Sequence, residues 1–461
     1  MELRFEHIYF VGIGGIGMSA LARYFLARGS KVSGYDKTRT PLTDQLSKEG
    51  MHIVFDESPE YIPYGIDLVV YTPAVPSAHK GLTYFRNTGI PVIKRAEVLG
   101  LISKNTRCIA IAGTHGKTTT SALTAHVLHE SGMGISAFLG GILSGYNSNL
   151  ILGDGAWTVM EADEFDRSFL HLEPEIAVIM SMDPDHLDIY GNTGDFYQGF
   201  RDFAGKIRRS GKLLIKKGLL NNFSLDDIQE LRSRQIEIIE FGWDSGNVVL
   251  SNPVVKHGIF GFDYHFEETT LENIEIFMPG KHNAENASVA VTIALLQKID
   301  QLQIRNSMRN FKGIQRRFEK IFESDNVVYI DDYAHHPTEL DAAISTARLL
   351  YPKNKITGIF QPHLYSRTRD FSSGFARALD QLDEIYLLEI YPARELPVEG
   401  VTSMLIFNQM RNSQKHLVTK ESIMDSISFQ ELEILLTLGA GDIDTLVIPL
   451  REKLISVYGK I

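Results

Sequence analysis

Lys117 and Thr118 come directly after a glycine turn, in the stretch Gly113-Thr114-His115-Gly116-Lys117-Thr118-Thr119. A lysine so placed neutralises charge on β- and γ-phosphates, and the adjoining hydroxyl coordinates Mg²⁺. The strict phosphate-loop spacing G-x-x-x-x-G-K-[ST] fails, because Ile111 stands five places before Gly116. The physical parts survive. An apolar run, CIAIA (108–112), delivers the loop, and a helix running to about Glu130 would aim its N-terminal amides at the phosphates. A triphosphate calls for a hard cation with oxygen ligands. Two acidic clusters, EADEFD (161–166) and DPDH (183–186), each follow an apolar strand, at the carboxyl end where open α/β sheets bind ligands. Glu161 and His186 are therefore the candidate metal ligands beside Thr118.

A second glycine loop lies upstream. Gly12, Gly14 and Gly17 satisfy G-x-G-x-x-G between a strand and a helix, and Asp36 ends the next strand, 19 residues beyond Gly17. Such a loop cradles a pyrophosphate on a helix N-terminus, with the acid on a ribose. Alone it leaves three readings open: a nicotinamide or flavin cofactor, another nucleotide, or a tight turn without ligand. A nicotinamide oxidoreductase would use Gly12 to Asp36 and leave the Lys117 loop idle. A P-loop ATPase acting as a regulatory module would hydrolyse ATP with no second substrate.

The elements that must position these residues read as three α/β units. At roughly 150 residues per domain, 461 residues predict about three domains. Apolar strands alternate with helical patterns from His7 to Lys94, which argues for an open, Rossmann-like parallel sheet in residues 1–104. LISKNTR (101–107) is polar and aperiodic, and reads as a linker. A central P-loop ATPase domain, 105–314, carries strands at RCIAIAG, AWTVMEAD, EIAVIMSMD, GKLLIKK and IEIIEFG. Residues 240–280 are rich in β-formers and turns and predict a small antiparallel part. A third, again Rossmann-like domain, 315–461, opens with strand, loop and helix in VVYIDDYAHHPTELDAAISTARLLY.

Composition limits the alternatives. The chain is 44% hydrophobic and 22% charged, as globular proteins are. A net charge of -11 argues against a general nucleic-acid surface. The single cysteine, Cys108, excludes an internal disulfide and fits a reducing compartment. No signal peptide and no run of 18 apolar residues stands out, so a cytosolic protein without membrane insertion is expected. Nothing in the sequence indicates an oligomeric state. The pair His335–His336 with His282 lacks the Cys or H-x₃-H spacing that zinc sites use.

GIGGIGMS, GTHGKTTT, EADE, DPDHLD, PGKHNAEN, RRFE, DDYAHHP and QPHLYSRTRD occur in this order. In type and order they resemble the Mur ligase family, from Ile8 to the GAGDID run at 439–444. The resemblance implies that the first domain binds the UDP part of a nucleotide sugar, through Gly14, Gly15, Ile16, Gly17, Met18, Ser19 and Asp36. It implies that the second domain binds ATP and the third brings in an amino acid. The implied reaction joins L-alanine to the carboxylate of UDP-N-acetylmuramate through an acyl phosphate, with Mg²⁺. A relative that attaches a whole tripeptide to the same sugar nucleotide is the alternative, though its first loop usually lacks the GIGGIGMS form.

Residue by residue, the resemblance makes Lys117 the phosphate-loop lysine and Thr118, Glu161 and His186 the metal ligands. It places His282, Asn283 and Asn286 near the adenosine, and Arg317 on ATP from the domain junction. Asp332, Tyr333 and His335 would face nucleotide and substrate, with His335 a candidate proton acceptor. His363 and Arg367 would line the amino-acid site. The chain departs from the family at Leu364, where many relatives carry Arg, at Phe165 (usually Ser), at Ala334 (commonly Gly), and in YPAREL (391–396), which replaces a smaller, Gly-containing stretch. An acyl phosphate is labile to water, so hinged closure around it is expected.

Overall fold

The computed structural model describes residues 5–76, 78–184, 187–256, 259–393 and 395–459. Strands β1 (His7–Val11), β2 (Lys31–Tyr35), β3 (His52–Val54), β4 (Leu68–Tyr71) and β5 (Val92–Lys94) form a parallel sheet in the order β3-β2-β1-β4-β5. Helices α1 (Ile16–Ala27), α2 (Pro41–Lys48), α3 (Lys80–Thr88) and α4 (Arg95–Asn105) connect or follow these strands. Residues 8–11 of β1 are all buried, as an apolar strand covered on both faces must be.

The expected linker at 101–107 is absent. Helix α4 continues through Asn105, and Arg107 already opens β6 (Arg107–Ala112). Of the residues that suggested a linker, Lys104 and Asn105 are exposed at the end of the helix, while Ile102 and Ser103 are buried. Ser103 also accepts a hydrogen bond from the Glu173 amide through its hydroxyl, at 3.1 Å.

The second sheet has ten strands: β6, β7 (Ser136–Leu143), β8 (Ser148–Ile151), β9 (Trp157–Glu161), β10 (Ile176–Ile179), β11 (Lys212–Lys216), β12 (Glu237–Trp243), β13 (Val248–Lys256), β14 (Ile259–Phe266) and β15 (Thr269–Ile276). Their order is β15-β14-β13-β12-β11-β10-β6-β9-β7-β8. The run from β11 through β10, β6 and β9 to β7 is parallel, and β8 closes that edge antiparallel to β7. At the other edge β14 and β15 are joined by Glu267 and Glu268 alone, a connection only antiparallel neighbours allow. Helices α5 (Lys117–Glu130), α6 (Leu187–Tyr190), α7 (Thr193–Gly205), α8 (Leu225–Ser233), α9 (Lys281–Leu296) and α10 (Gln301–Asn310) complete this part.

The third sheet comprises β16 (Glu319–Glu323), β17 (Val328–Asp332), β18 (Ile356–Phe360), β19 (Glu384–Leu387), β20 (Lys415–Leu417) and β21 (Ile434–Leu438). Its order is β16-β17-β21-β18-β19-β20, and only β16 runs antiparallel to its neighbour. Helices α11 (Pro337–Leu350) and α12 (Tyr365–Leu379) follow β17 and β18. The chain divides into two compact units, one of residues 1–253, 261–276 and 283–312, the other of 254–260, 277–282 and 313–461. Among the described residues no helix is long and apolar enough to cross a membrane.

Candidate active site

In the first unit strand β6, buried from Cys108 onward, ends at Ala112, and Gly113 turns the chain at φ +137°. A Cβ there would lie 2.8 Å from the Ser181 amide nitrogen, so only glycine lets the loop pass this close to the end of β10. The His115 amide donates to the Ser181 hydroxyl (2.7 Å), and the Thr114 hydroxyl donates to the Asp183 carbonyl (2.7 Å). Gly116 sits at φ +84° as the N-cap of α5 with no side-chain cap, which leaves the helix amides for a ligand. Thr118 and Thr119 are nearly buried at its first turn.

Lys117 does not project into open solvent. Its ammonium donates to the Gly113 carbonyl (2.7 Å) and to both oxygens of Glu164 (2.9 and 2.7 Å). Glu164 is 1% exposed. Burial alone would lower the lysine pKa, but Glu164, Asp163 and Glu161 together hold it above its ordinary value. The Thr118 hydroxyl donates to Glu161 Oε1 (3.1 Å), whose other oxygen accepts from the Gly140 amide (2.9 Å). Asn286 accepts from the Thr120 hydroxyl (3.1 Å) and donates to Asn283 Oδ1 (3.2 Å), which ties α9 to the loop helix.

Beside this loop lies a cleft of about 360 Å³, within the usual range for small-ligand sites. Gly15, Ile16, Gly17 and Met18 form one wall, Arg95 and Leu99 of α4 another, and Gly140, Glu161 and Asp163 the far end. Arg95 stands 3.8 Å from Asp163. Gly14 and Ser19 of the same glycine stretch, and Asp36, lie outside the lining. The Asp36 carboxylate accepts from the Gly14 amide (2.7 Å), and the Ser19 hydroxyl is held between the Ile16 carbonyl (2.8 Å) and the Asn149 amide group (3.1 Å).

In the second unit, β17, β18 and β21 are parallel neighbours, so the loops after them leave one end of the sheet together. Asp332 accepts from the Phe318 and Ala334 amides, both at 2.7 Å. Burial pushes its carboxyl up to about 6, although Arg317 pulls it down. Arg316 is 3.0 Å from the fully buried Asp331, and the Arg316 and Arg317 guanidiniums each lie 5.2 Å from the centre of the Tyr333 ring. The Tyr333 carbonyl can only accept, so at 2.9 Å His335 Nδ1 must carry the proton and Nε2 keeps its lone pair. Burial lowers the His335 pKa, with Glu339 opposing it. His363 and Arg367 meet at 3.3 Å (Nδ1 to the guanidinium), and the His335 and His363 rings are 6.0 Å apart. His282 packs against Gly280, where an added Cβ would approach its ring to 2.8 Å.

Three family models match the chain in series: "Mur ligase family, catalytic domain" over residues 7–107, "Mur ligase middle domain" over 111–294, and "Mur ligase, glutamate ligase domain" over 316–441. A UDP-N-acetylmuramate–L-alanine ligase of Porphyromonas gingivalis is 48% identical, covering 97% of this chain and 99% of its own. The chain belongs to the Mur ligase family. The enzyme of the same name from Cytophaga hutchinsonii is 44% identical over 100% of this chain and 99% of its own. Among solved structures, the UDP-N-acetylmuramate-alanine ligase of Thermotoga maritima superposes with a TM-score of 0.83 at 28% identity, covering 98% of this chain and 99% of its own. A murein peptide ligase from Psychrobacter arcticus shares the fold, with a TM-score of 0.69 at 22% identity, covering 99% of each chain.

For this Mur ligase, the first unit brings together Gly113, Thr114, His115, Gly116, Lys117, Thr118, Glu161, Asn283 and Asn286. The second gathers Arg317, Asp332, Tyr333, His335, His363 and Arg367. His186 lies outside the described residues. Sequence reasoning passed over Glu164 and Asp163, which share the EADE motif with Glu161 but meet Lys117 and Arg95 rather than Thr118. It also passed over Arg95, whose place in the cleft depends on contact between α4 and a strand end 68 residues later. The glycine motif offered one usable signal: the bare Cα of Gly17 admits Arg95, whose Cζ would lie 3.0 Å from a Cβ there.

Proposed function

We propose that this Mur ligase joins L-alanine to the carboxylate of UDP-N-acetylmuramate, driven by ATP and through an acyl phosphate, in peptidoglycan precursor synthesis. The observation that carries the reading is the double duty of Glu161. It accepts from Thr118 of the ATP loop, and it lines the cleft beneath Gly15–Met18. A nucleotide sugar held by those glycines would place its acid end beside the γ-phosphate. A nicotinamide cofactor would have no use for that adjacency. Relatives named for the single amino acid are 44–48% identical over nearly the whole chain, which favours alanine over a tripeptide.

Residues 1–104 would hold the nucleotide sugar, 105–314 ATP and 315–461 the amino acid. We assign Lys117 to the β- and γ-phosphates, with His282, Asn283 and Asn286 at the adenosine and Arg317 and Asp332 at the nucleotide. The muramoyl carboxylate attacks the γ-phosphorus, the bond to the β-phosphate oxygen breaks, and ADP leaves. Lys117 spreads the charge that builds on the transferring group. The alanine amine then attacks the acyl carbon and phosphate departs. His335, its pKa lowered by burial, would take the ammonium proton, with Tyr333, His363 and Arg367 around the amino acid.

The oxygen donors Thr118 and Glu161, within 3.1 Å of each other, suit a hard cation. Among the described residues no group of three His, Cys, Asp or Glu side chains forms a cage, which fits a metal that keeps water and phosphate oxygens. Mg²⁺ held there, with His186 as a further ligand, would screen two anions that must meet. We place the enzyme in the cytoplasm, a reducing compartment that fits its single, buried and unpaired cysteine. The test is phosphate release from ATP with UDP-N-acetylmuramate and L-alanine supplied singly and together. Release should need both, and Lys117→Ala should abolish it while the circular dichroism spectrum stays unchanged. Equal release with the nucleotide sugar omitted would defeat the proposal.

A further inference from the structure

The stretch YPAREL (391–396) is tied to the start of α12. Beyond the ends of β18 and β19 the two chains stay paired: the Tyr391 amide donates to the Pro362 carbonyl, and the Leu364 amide to the Tyr391 carbonyl, both at 2.9 Å. The Tyr391 ring lies nearly parallel to that of His363, with centroids 5.7 Å apart at 23°. Between these ties Leu364 adopts φ +71° and ψ 139°, a conformation that L side chains rarely take. Such strain persists only where neighbours over-determine it, and it concentrates at functional sites.

Leu364 is also the N-cap of α12, and its side chain has no acceptor to offer the first turn. Glu395 supplies one from outside the helix. Its Oε2 accepts from the Ser366 amide at 3.0 Å, and its Oε1 accepts a short bond from the Ser366 hydroxyl. A carboxylate at a helix N-terminus is favoured both by the free amides and by the helix dipole. Glu395 is anchored in turn, its amide donating to the Pro392 carbonyl at 2.9 Å. The residue after Ser366 is Arg367, 7% exposed and joined to His363.

We propose that Glu395 is a positioning residue for the amino-acid substrate: by capping α12 from the neighbouring segment, it fixes Arg367 and His363 where the amino acid binds. This rests on the reading that Arg367 and His363 face the amino acid. The cap acts on one substrate only. Among the described residues it bonds Ser366 and Pro392, to which neither ATP nor the nucleotide sugar is assigned, so its loss should appear in one Michaelis constant.

The experiment is steady-state phosphate release by the full chain, with each of the three substrates varied in turn, for Glu395→Ala, Glu395→Gln and Arg367→Lys. For Glu395→Ala, KM for L-alanine should rise about tenfold, the equivalent of one lost helix cap. KM for ATP and for UDP-N-acetylmuramate should stay within about twofold, and kcat within about threefold. Glu395→Gln keeps an oxygen for the Ser366 amide and should recover much of the loss, which also covers the case in which the alanine variant fails to fold. If Arg367→Lys raises KM for alanine and neither Glu395 variant does, or if the Glu395 variants raise all three constants alike, the positioning role is overturned. If Arg367→Lys also leaves KM for alanine unchanged, the underlying reading of this cluster as the amino-acid site fails instead.

Discussion

Lys117 is committed before any phosphate arrives, since its ammonium already bonds both oxygens of the buried Glu164. ATP must therefore take the lysine from a carboxylate that lies less than 3 Å away. That makes Glu164 a competitor with the nucleotide and, in its absence, the partner that keeps a buried ammonium charged. Glu164→Gln keeps the shape and removes the charge. It should tighten ATP binding about tenfold in calorimetric titration, because the competing anion is gone. It should also lower the stability of the ligand-free chain by about 3 kcal/mol in denaturant unfolding, because breaking a buried pair strands the remaining charge. Unchanged or weaker ATP binding would mean that Lys117 keeps its Glu164 contact while it holds phosphate. The same residue scale separates Arg316 from Arg317, adjacent in RRFE. Both lie over Tyr333, and Arg316 is in addition paired with the buried Asp331.

At the scale of elements, function depends on what glycine lets through. Helix α1 begins at Ile16 and its second residue, Gly17, has no side chain, so the Arg95 guanidinium of α4 lies against the bare backbone. Gly17→Ala should leave folding nearly intact, because the displaced group is the far end of a flexible side chain. It should move Arg95 within the cleft and raise KM for UDP-N-acetylmuramate about tenfold, the scale of one charged hydrogen bond. KM for ATP should not change, and a parallel rise there would place Arg95 outside the sugar-nucleotide site. Arg95 also marks the limit of what the sequence makes legible. Strand-end motifs could be read because each follows a wholly apolar strand, and a parallel sheet presents such strand ends together. Helix α4 was read partly as linker because its exposed face is polar, and the β7–β8 hairpin passed unnoticed because glycines interrupt SAFLGGIL. Which carboxylate of EADE meets Lys117 and which meets Thr118 depends on the turn after β9, and residue type carries no record of that.

At the scale of the molecule, two compact units should unfold as two calorimetric transitions rather than one, as chains with separate cores do. UDP-N-acetylmuramate would bind wholly within the first unit. At a hundredfold excess over its Kd it should stabilise that unit by about 2.7 kcal/mol and raise one midpoint while the other stays put. The second unit should report through Asp332, whose ordinary carboxyl value of 3.8 is pushed up to about 6 by burial. Between these values the folded chain keeps a proton that the unfolded chain has released. Its contribution to stability therefore falls as pH rises from about 4 to about 6, by roughly 2–3 kcal/mol, and the loss is complete above that window. Asp332→Asn cannot titrate. Its second transition should lack this downward limb, so the difference in midpoint between variant and wild type should change between pH 4 and pH 6 and stay level above. A difference that is flat across the whole window would mean that Asp332 is ionised when buried, held there by Arg317 and the two amides. A nucleotide sugar that raised both midpoints together would mean that the two units unfold as one.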